Sequence, residues 1–123
     1  MKVSKKRFNY LCFIIEVWLV DSAPEGFREE AQAGVFPHED NSPLFKIWFK
    51  KSLTYETLAH ECWHLFMTIL MVIDNKPHYF DELNTEIYAY NFHSLLSNIL
   101  ETATSMKAYS DYFMEQEKKS VGK

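Results

Sequence analysis

A chain of 123 residues that is 47% hydrophobic can bury one core without disulfides or other covalent staples, so we expect a single domain covering 1–123. With only three glycines and four prolines it is not a collagen-like or low-complexity sequence, and an aromatic share of 16% argues against disorder. The formal charge is −4, and no basic stripe follows the first seven residues. We therefore expect no nucleic-acid partner.

The N-terminal segment combines a basic start with an apolar run. Four basic residues within positions 2–7 precede the apolar stretch 8–20. This order is typical of a signal peptide, but Glu16 interrupts the run, and the β-branched and aromatic residues around it favour a strand. The run is also too short to span a membrane. We therefore predict a flexible basic arm at 1–7 and a first strand over 8–20, rather than a signal peptide or a membrane anchor.

Two further strands are predicted before the first helix. Residues 34–36 form the centre of one, and the alternating pattern of 44–50 indicates the other, with a loop rich in turn residues between them. If an edge of the strand at 44–50 is exposed beside a helix, an extended peptide can pair with it, although its aromatic residues suit an ordinary core strand equally well. The predicted fold class is α+β: a small, mostly antiparallel sheet of about three strands packed on two or three helices.

The segment after these strands contains His60-Glu61-x-x-His64. Residues four apart lie about 40° from each other on one helix face, so both imidazoles can reach a single Zn2+ ion at roughly 2.0–2.1 Å. Glu61 lies about 100° from His60, which suits a general base better than a third ligand. A helix is predicted to begin after a cap at Ser52 or Thr54 and to end near residue 73. Its core-facing stripe consists of Leu58, Cys62, Leu65, Phe66, Ile69 and Ile73.

A catalytic zinc site needs a third protein ligand and one open position. A turn with Pro77 follows the motif helix, and further helical patterns cover about 78–93 and 95–112, before a charged tail at 115–123 that we expect to be flexible. Because a short connection makes two helices antiparallel neighbours, the ligand must lie some turns into the second helix. Glu86, which follows His64 by 22 residues, meets this requirement better than His78 or Asp81.

These motifs resemble the zincin metallopeptidases of the gluzincin type, and more closely the small zincin-like proteins of bacteriophages and prophages. The resemblance covers roughly residues 26 to 100, and rests on Ile47-Trp48-Phe49, Ala59-His60-Glu61, His64 and Glu86-Ile87-Tyr88-Ala89-Tyr90. It implies a minimal zincin-like fold, a peptide or protein substrate, and a location in the host cytoplasm or in a virion. A virion or host protein partner is a further expectation.

The predicted chemistry uses zinc on His60, His64 and Glu86 to activate a water molecule, with Glu61 as the base that accepts its proton. The transition state needs a further donor, for which the candidates are Tyr90, Tyr88, His93 and His78; Tyr90 is included in the predicted site. Glu82 and Asp81 are candidate partners of the ligating histidines. The alternative is a catalytically inactive binding or virion-associated module with a structural zinc, which is favoured by the shortness of the chain.

Overall fold

The computed structural model describes residues 3–74 and 82–121, with side chains described for 3–73 and 88–107. Within these residues the elements are β1 (Val3–Tyr10), β2 (Phe13–Val20), β3 (Ala33–Val35), β4 (Leu44–Lys50), α1 (Tyr55–Asp74) and α2 (Glu82–Val121). The predicted α+β class is confirmed, with four strands where about three were expected. The predicted turn around Pro77 lies outside the described residues, as do the candidates His78 and Asp81.

The strands form one mixed sheet in the order β1-β2-β4-β3. β1 pairs with β2 and β3 pairs with β4 in antiparallel fashion, while β2 and β4 run parallel. The parallel pairing requires the chain to cross the sheet between β2 and β4, and the connecting segment 21–43 supplies β3 on the way. β4 is therefore an inner strand, and the exposed edge expected for it belongs to β3 instead.

Residues 3–20 form a hairpin rather than an arm and one strand. The basic residues Lys5, Lys6 and Arg7 lie within β1, and every residue from Val3 to Tyr10 has a partner on β2. The connection is a two-residue turn in which Leu11 has a φ of 56°. This left-handed backbone conformation is uncommon for residues other than glycine, and two-residue hairpin turns normally carry Gly, Asn or Asp at such positions. The sequence therefore contains no recognisable turn signal at this point.

The core lies between the sheet and a layer formed by the two helices. α1 packs against β3 and β4, and α2 packs against β1 and β2. Alternation along the inner strands points their branched and aromatic side chains at the helices. The buried residues of this core include Ile15, Val17, Leu19, Phe45, Ile47, Phe49, Leu58, Cys62, Leu65, Phe66, Ile69, Leu95 and Ile99. The cysteine is a free thiol and part of the core, as its position in the helical pattern predicts.

The opposite face of the sheet carries a second, smaller aromatic cluster. Phe27 packs edge-on against Trp48 at 5.1 Å, and Phe36 contacts Trp18 at 4.7 Å between ring centroids. Gly34 is required at the centre of β3, because a Cβ at this position would approach Nε1 of Trp48 to 2.7 Å. The segment between β2 and β4 is thereby fixed against the sheet, and the free edge of β3 has a defined position beside α1.

Glu16, which interrupts the apolar pattern of β2, lies on this outer face and is only 5% exposed. Its carboxylate accepts hydrogen bonds from Nε of Arg7 at 2.6 Å and from Nε1 of Trp18 at 2.5 Å. Burial alone favours the neutral acid, but these hydrogen bonds and the charges of Arg7 and Lys5 outweigh burial and hold the pKa of Glu16 below its ordinary value. The charge is therefore compatible with an inner strand.

α2 is one continuous helix of 40 residues, where the sequence patterns suggested two shorter ones. It includes most of the segment 115–123 that was expected to be a flexible tail. No proline or glycine occurs between 82 and 121, so nothing in the sequence ends the helix earlier. Neither described helix combines the length and apolar character needed to cross a membrane.

Candidate metal centre

A cap and a short connection determine where the motif begins on α1. After β4, the backbone N–H of Thr57 donates to Oγ1 of Thr54 at 3.2 Å, so Thr54 is the N-cap and Tyr55 the first helical residue. This confirms one of the two predicted caps. The motif residues His60 to His64 thus lie in the second and third turns of α1, the helix that packs against the edge strand β3 and its neighbour β4.

The two motif histidines point at each other. Nε2 of His60 and Nε2 of His64 are 3.1 Å apart, and the rings meet at an interplanar angle of 79° with centroids 4.7 Å apart. Both side chains are exposed, on the face of α1 opposite its buried stripe. In the absence of a metal, one Nε2 must carry the hydrogen that the other accepts. The four-residue spacing therefore brings together the two nitrogen atoms that the motif requires.

The separation of these nitrogen atoms can be compared with the requirements of zinc. Two nitrogen ligands at roughly 2.0–2.1 Å around a tetrahedral ion lie about 3.3 Å from each other. The observed 3.1 Å differs from this by only a few tenths of an ångström, so small side-chain rotations bring both lone pairs onto one ion. Imidazole is also a donor that zinc prefers. His60 and His64 therefore fit as two ligands of a zinc ion.

Glu61 lies on α1 directly beside the pair and is half-exposed. Because it follows His60 by one residue, its side chain leaves the helix about 100° away from that of His60, on one flank of the histidine face. Its negative charge reaches the next residue, since the pKa of the Cys62 thiol is raised to about 12, chiefly by burial and further by Glu61. Glu61 thus lies beside the histidine face rather than on it, and its role as a base stays a prediction.

The predicted third ligand, Glu86, lies in α2, but its side chain falls outside the described residues, as does that of Glu82. In α2, Phe92 lies opposite the third turn of α1, because its ring contacts Trp63 and Phe66. Glu86 precedes Phe92 by six residues, which is about 9 Å of helix rise. Among the side chains that the structure describes, at 3–73 and 88–107, no group of three His, Cys, Asp or Glu that could hold a metal is found.

The candidate donors on α2 differ in their positions. Tyr90 is 80% exposed and precedes Phe92 by two residues, so it leaves the helix about 200° from the ring that contacts α1. It faces away from the histidine pair. Tyr88 packs against the core, and His93 is exposed next to Phe92. The structure therefore brings His60, Glu61 and His64 together and does not bring Tyr90 to them.

An apolar cavity beside the motif was not anticipated from the sequence. It measures about 200 Å³ and lies between α1 and α2, with Trp63 and Met67 on one side and Ala89 and Phe92 on the other. Trp63 occupies one of the two variable positions of the His-Glu-x-x-His motif and is 44% exposed. A tryptophan at a position next to a ligating histidine, on the flank away from the buried stripe, is the signal that could have indicated this cavity.

Comparison of the chain with family models, curated proteins and solved structures finds no match in any of the three.

Proposed function

We propose that this chain is a zinc-dependent peptide hydrolase of the zincin type. His60, His64 and Glu86 hold the metal in this proposal, and Glu61 is the general base. The observation that carries it is the 3.1 Å separation of the two Nε2 atoms on one exposed helix face, with a carboxylate one residue away. Two ring nitrogens at this distance suit a shared cation better than a core hydrogen bond, because both rings are open to solvent.

The chemistry divides between the metal and the chain. When bound, zinc supplies a Lewis acid that polarises a carbonyl group and lowers the pKa of a water molecule. The carboxylate of Glu61 accepts the proton of the attacking water and delivers it to the leaving amine. Its half-exposed position lets it meet both water and substrate. Tyr90 was predicted to donate a hydrogen bond to the transition state. Its side chain is exposed and faces away from α1, and this position does not support that role.

A peptide substrate could pair with the edge strand β3. Within the described sheet, β3 lies at one end of the strand order and pairs with β4 on one side only. α1 packs directly against β3, so the free edge lies beside the helix that carries the histidines. Main-chain hydrogen bonds to such an edge hold a peptide in extended form without regard to its side chains. This arrangement supports a peptide or protein as the substrate.

The alternative function is a zinc-stabilised binding module, associated with a virion or with a host protein, that performs no hydrolysis. It is favoured by the location of both described nitrogen donors on one helix. The two functions require the same zinc but differ in the role of Glu61. A structural site does not need the carboxylate, whereas hydrolysis does.

Metal analysis tests the part that both functions share. Protein purified after expression with added zinc should contain about one zinc per chain, and the His60→Ala, His64→Ala double variant should contain almost none. The reason is that the variant lacks both nitrogen ligands, and a single remaining carboxylate binds zinc weakly. Equal zinc contents in the two proteins would contradict the assignment. Glu86→Gln should lower the zinc affinity by at least tenfold if Glu86 is the third ligand.

The matched variant Glu61→Gln then separates the hydrolase from the module. It should keep the zinc content and the melting midpoint of the wild type, because the amide has the same shape and is not a ligand. Any hydrolysis of a denatured protein substrate such as casein should fall by about 10²-fold or more, because the amide cannot accept a proton. Hydrolysis that is unchanged in Glu61→Gln would contradict the role of this residue.

A further inference from the structure

The cavity between α1 and α2 has walls without polar surface. α1 supplies Trp63 and Met67 among its lining residues, and α2 supplies Ala89 and Phe92. The rings of Trp63 and Phe92 meet nearly at right angles, at 83° with centroids 5.3 Å apart, and they brace the two helices against each other. Because no charged or hydrogen-bonding atom lines these walls, only a neutral, apolar group could enter without losing its interactions with water.

The cavity and the histidine pair share one patch of α1. On a helix, residues three or four apart have Cβ atoms about 5–6 Å from each other. Trp63 has this relation to His60 and to Met67, and Met67 has it to His64. The four side chains therefore form one continuous surface, with the two nitrogen donors on one side and the wall of the cavity on the other.

We infer that this cavity receives one apolar side chain of a bound peptide, and that it selects peptides by a leucine-like or phenylalanine-like residue next to the metal centre. The inference deepens the proposed hydrolase function and rests on it for the identity of the ligand as a peptide. The volume supports this choice, since an apolar cavity of about 150 Å³ stays dry and binds benzene. At about 200 Å³, the cavity beside Trp63 can take a phenyl ring or a branched aliphatic group.

The test uses blocked single residues as probes, because they combine the side chain with its two flanking peptide groups. N-acetyl-phenylalaninamide, N-acetyl-leucinamide and N-acetylglycinamide are titrated into the full chain, and binding is measured by saturation-transfer NMR. Burial of a Phe or Leu side chain should make the first two bind at least tenfold more tightly than the glycine probe. Equal affinities of the three probes would overturn the inference.

Two variants, one that fills the cavity and one matched control, show whether the probes bind in the cavity. Ala89→Phe places a ring in the cavity from an exposed position and should weaken binding of the apolar probes at least tenfold. Ser97→Phe adds the same ring at an exposed position of α2 outside the cavity lining and should leave binding unchanged. If Ala89→Phe loses its fold, the smaller Ala89→Leu replaces it. Unchanged binding in a folded, filled variant would overturn the inference.

A chelator distinguishes failure of the cavity from failure of the metal site. The cavity lining includes no metal ligand, so probe binding should persist in the chelated protein and in His60→Ala. If the protein retains zinc but binds the three probes equally, the inference about the cavity is contradicted and the proposed metal site is not. Absence of zinc with selectivity retained would contradict the hydrolase but leave an apolar binding site.

Discussion

Cys62 shows how burial controls the reactivity of a single residue next to the candidate site. Its thiol is part of the core, and burial together with the charge of Glu61 raises its pKa to about 12. Only roughly one molecule in ten thousand would carry the reactive thiolate at pH 8. Cys12, by contrast, is exposed in the turn of the N-terminal hairpin.

We therefore predict that a thiol reagent such as dithiobis(2-nitrobenzoate) modifies one cysteine per folded chain at pH 8 and two in denaturant. The absorbance of the released thiolate measures this stoichiometry. Cys12→Ser is the control, and its folded form should show almost no rapid reaction because only the buried thiol remains. If folded Cys12→Ser reacted as fast as a free thiol, Cys62 would not be buried as described.

For individual residues, the sequence predicted the local geometry of the two motif histidines better than it predicted their surroundings. The four-residue spacing of His60 and His64 was sufficient to predict that their rings meet, because helix geometry is local. The exposure of both rings and the position of Tyr90 depend on how α2 packs, which is not local information. The roles of Glu61 and Glu86 stay predictions, and the side chain of Glu86 lies outside the described residues.

Among the secondary-structure elements, the best predicted ones carry strong local signals. The cap at Thr54 and the apolar stripe predicted α1 to within one residue of its observed end at Asp74. The alternation of 44–50 predicted β4. The N-terminal hairpin was missed because its turn contains Leu11 where a Gly, Asn or Asp is normally found. The parallel pairing of β2 with β4 joins segments separated by a long connection, and no local pattern encodes such a pairing.

One of the contacts that hold α2 against the sheet is a hydrogen bond from β1 to the helix. The hydroxyl of Tyr10 donates a hydrogen bond of 2.7 Å to the backbone carbonyl oxygen of Asn91. Burial raises the pKa of Tyr10 to about 12. Because the helix layer also carries Phe92 and the cavity wall, this contact helps to hold one side of the proposed site in place.

Removal of this hydroxyl should weaken the fold in a pH-dependent manner. Tyr10→Phe should lose about 1 kcal/mol of unfolding free energy at pH 8, the typical contribution of one hydrogen bond. The folded pKa of about 12 lies above the unfolded value near 10, so the contribution is fully present below pH 10. The contribution of the hydroxyl should diminish as the pH rises from 10 through 12. The difference in unfolding free energy between wild type and Tyr10→Phe should therefore shrink over this pH range.

Urea unfolding at several pH values between 8 and 11.5 measures this difference. Tyr55→Phe is the matched control, because Tyr55 is 58% exposed at the start of α1 and its hydroxyl has no described role in the fold. Its unfolding free energy should follow that of the wild type at each pH. A stability difference for Tyr10→Phe that stays constant up to pH 11.5 would contradict the raised pKa.

For the molecule as a whole, the core and the candidate metal centre are separate. Among the described side chains, the buried residues between the sheet and the two helices form an apolar cluster, and neither His60 nor His64 belongs to it. The histidines project from the outer face of α1 instead. We therefore expect the metal-free chain to keep its fold, because its stability comes from apolar burial that does not change when zinc is removed.

Zinc should nevertheless stabilise the fold, since the two nitrogen donors approach to 3.1 Å only in the folded helix. A ligand that binds only the native state adds about 2.7 kcal/mol when its free concentration is a hundredfold above Kd. For a chain of this size the melting midpoint should rise by on the order of 10 °C. Circular dichroism melts with zinc and with a chelator measure this shift, and identical midpoints would contradict the metal centre.

The same melts show whether the metal joins the two helices. A zinc ion held by His60 and His64 alone constrains a single turn of α1, whereas a carboxylate from Glu86 would link α1 to α2. Glu86→Gln should therefore lose most of the zinc-dependent rise in melting midpoint while keeping the midpoint of the chelated protein. Unfolding of the wild type on chelation at 25 °C would contradict the separation of core and metal centre and would favour a structural zinc. An undiminished rise in Glu86→Gln would assign the third ligand to a different residue.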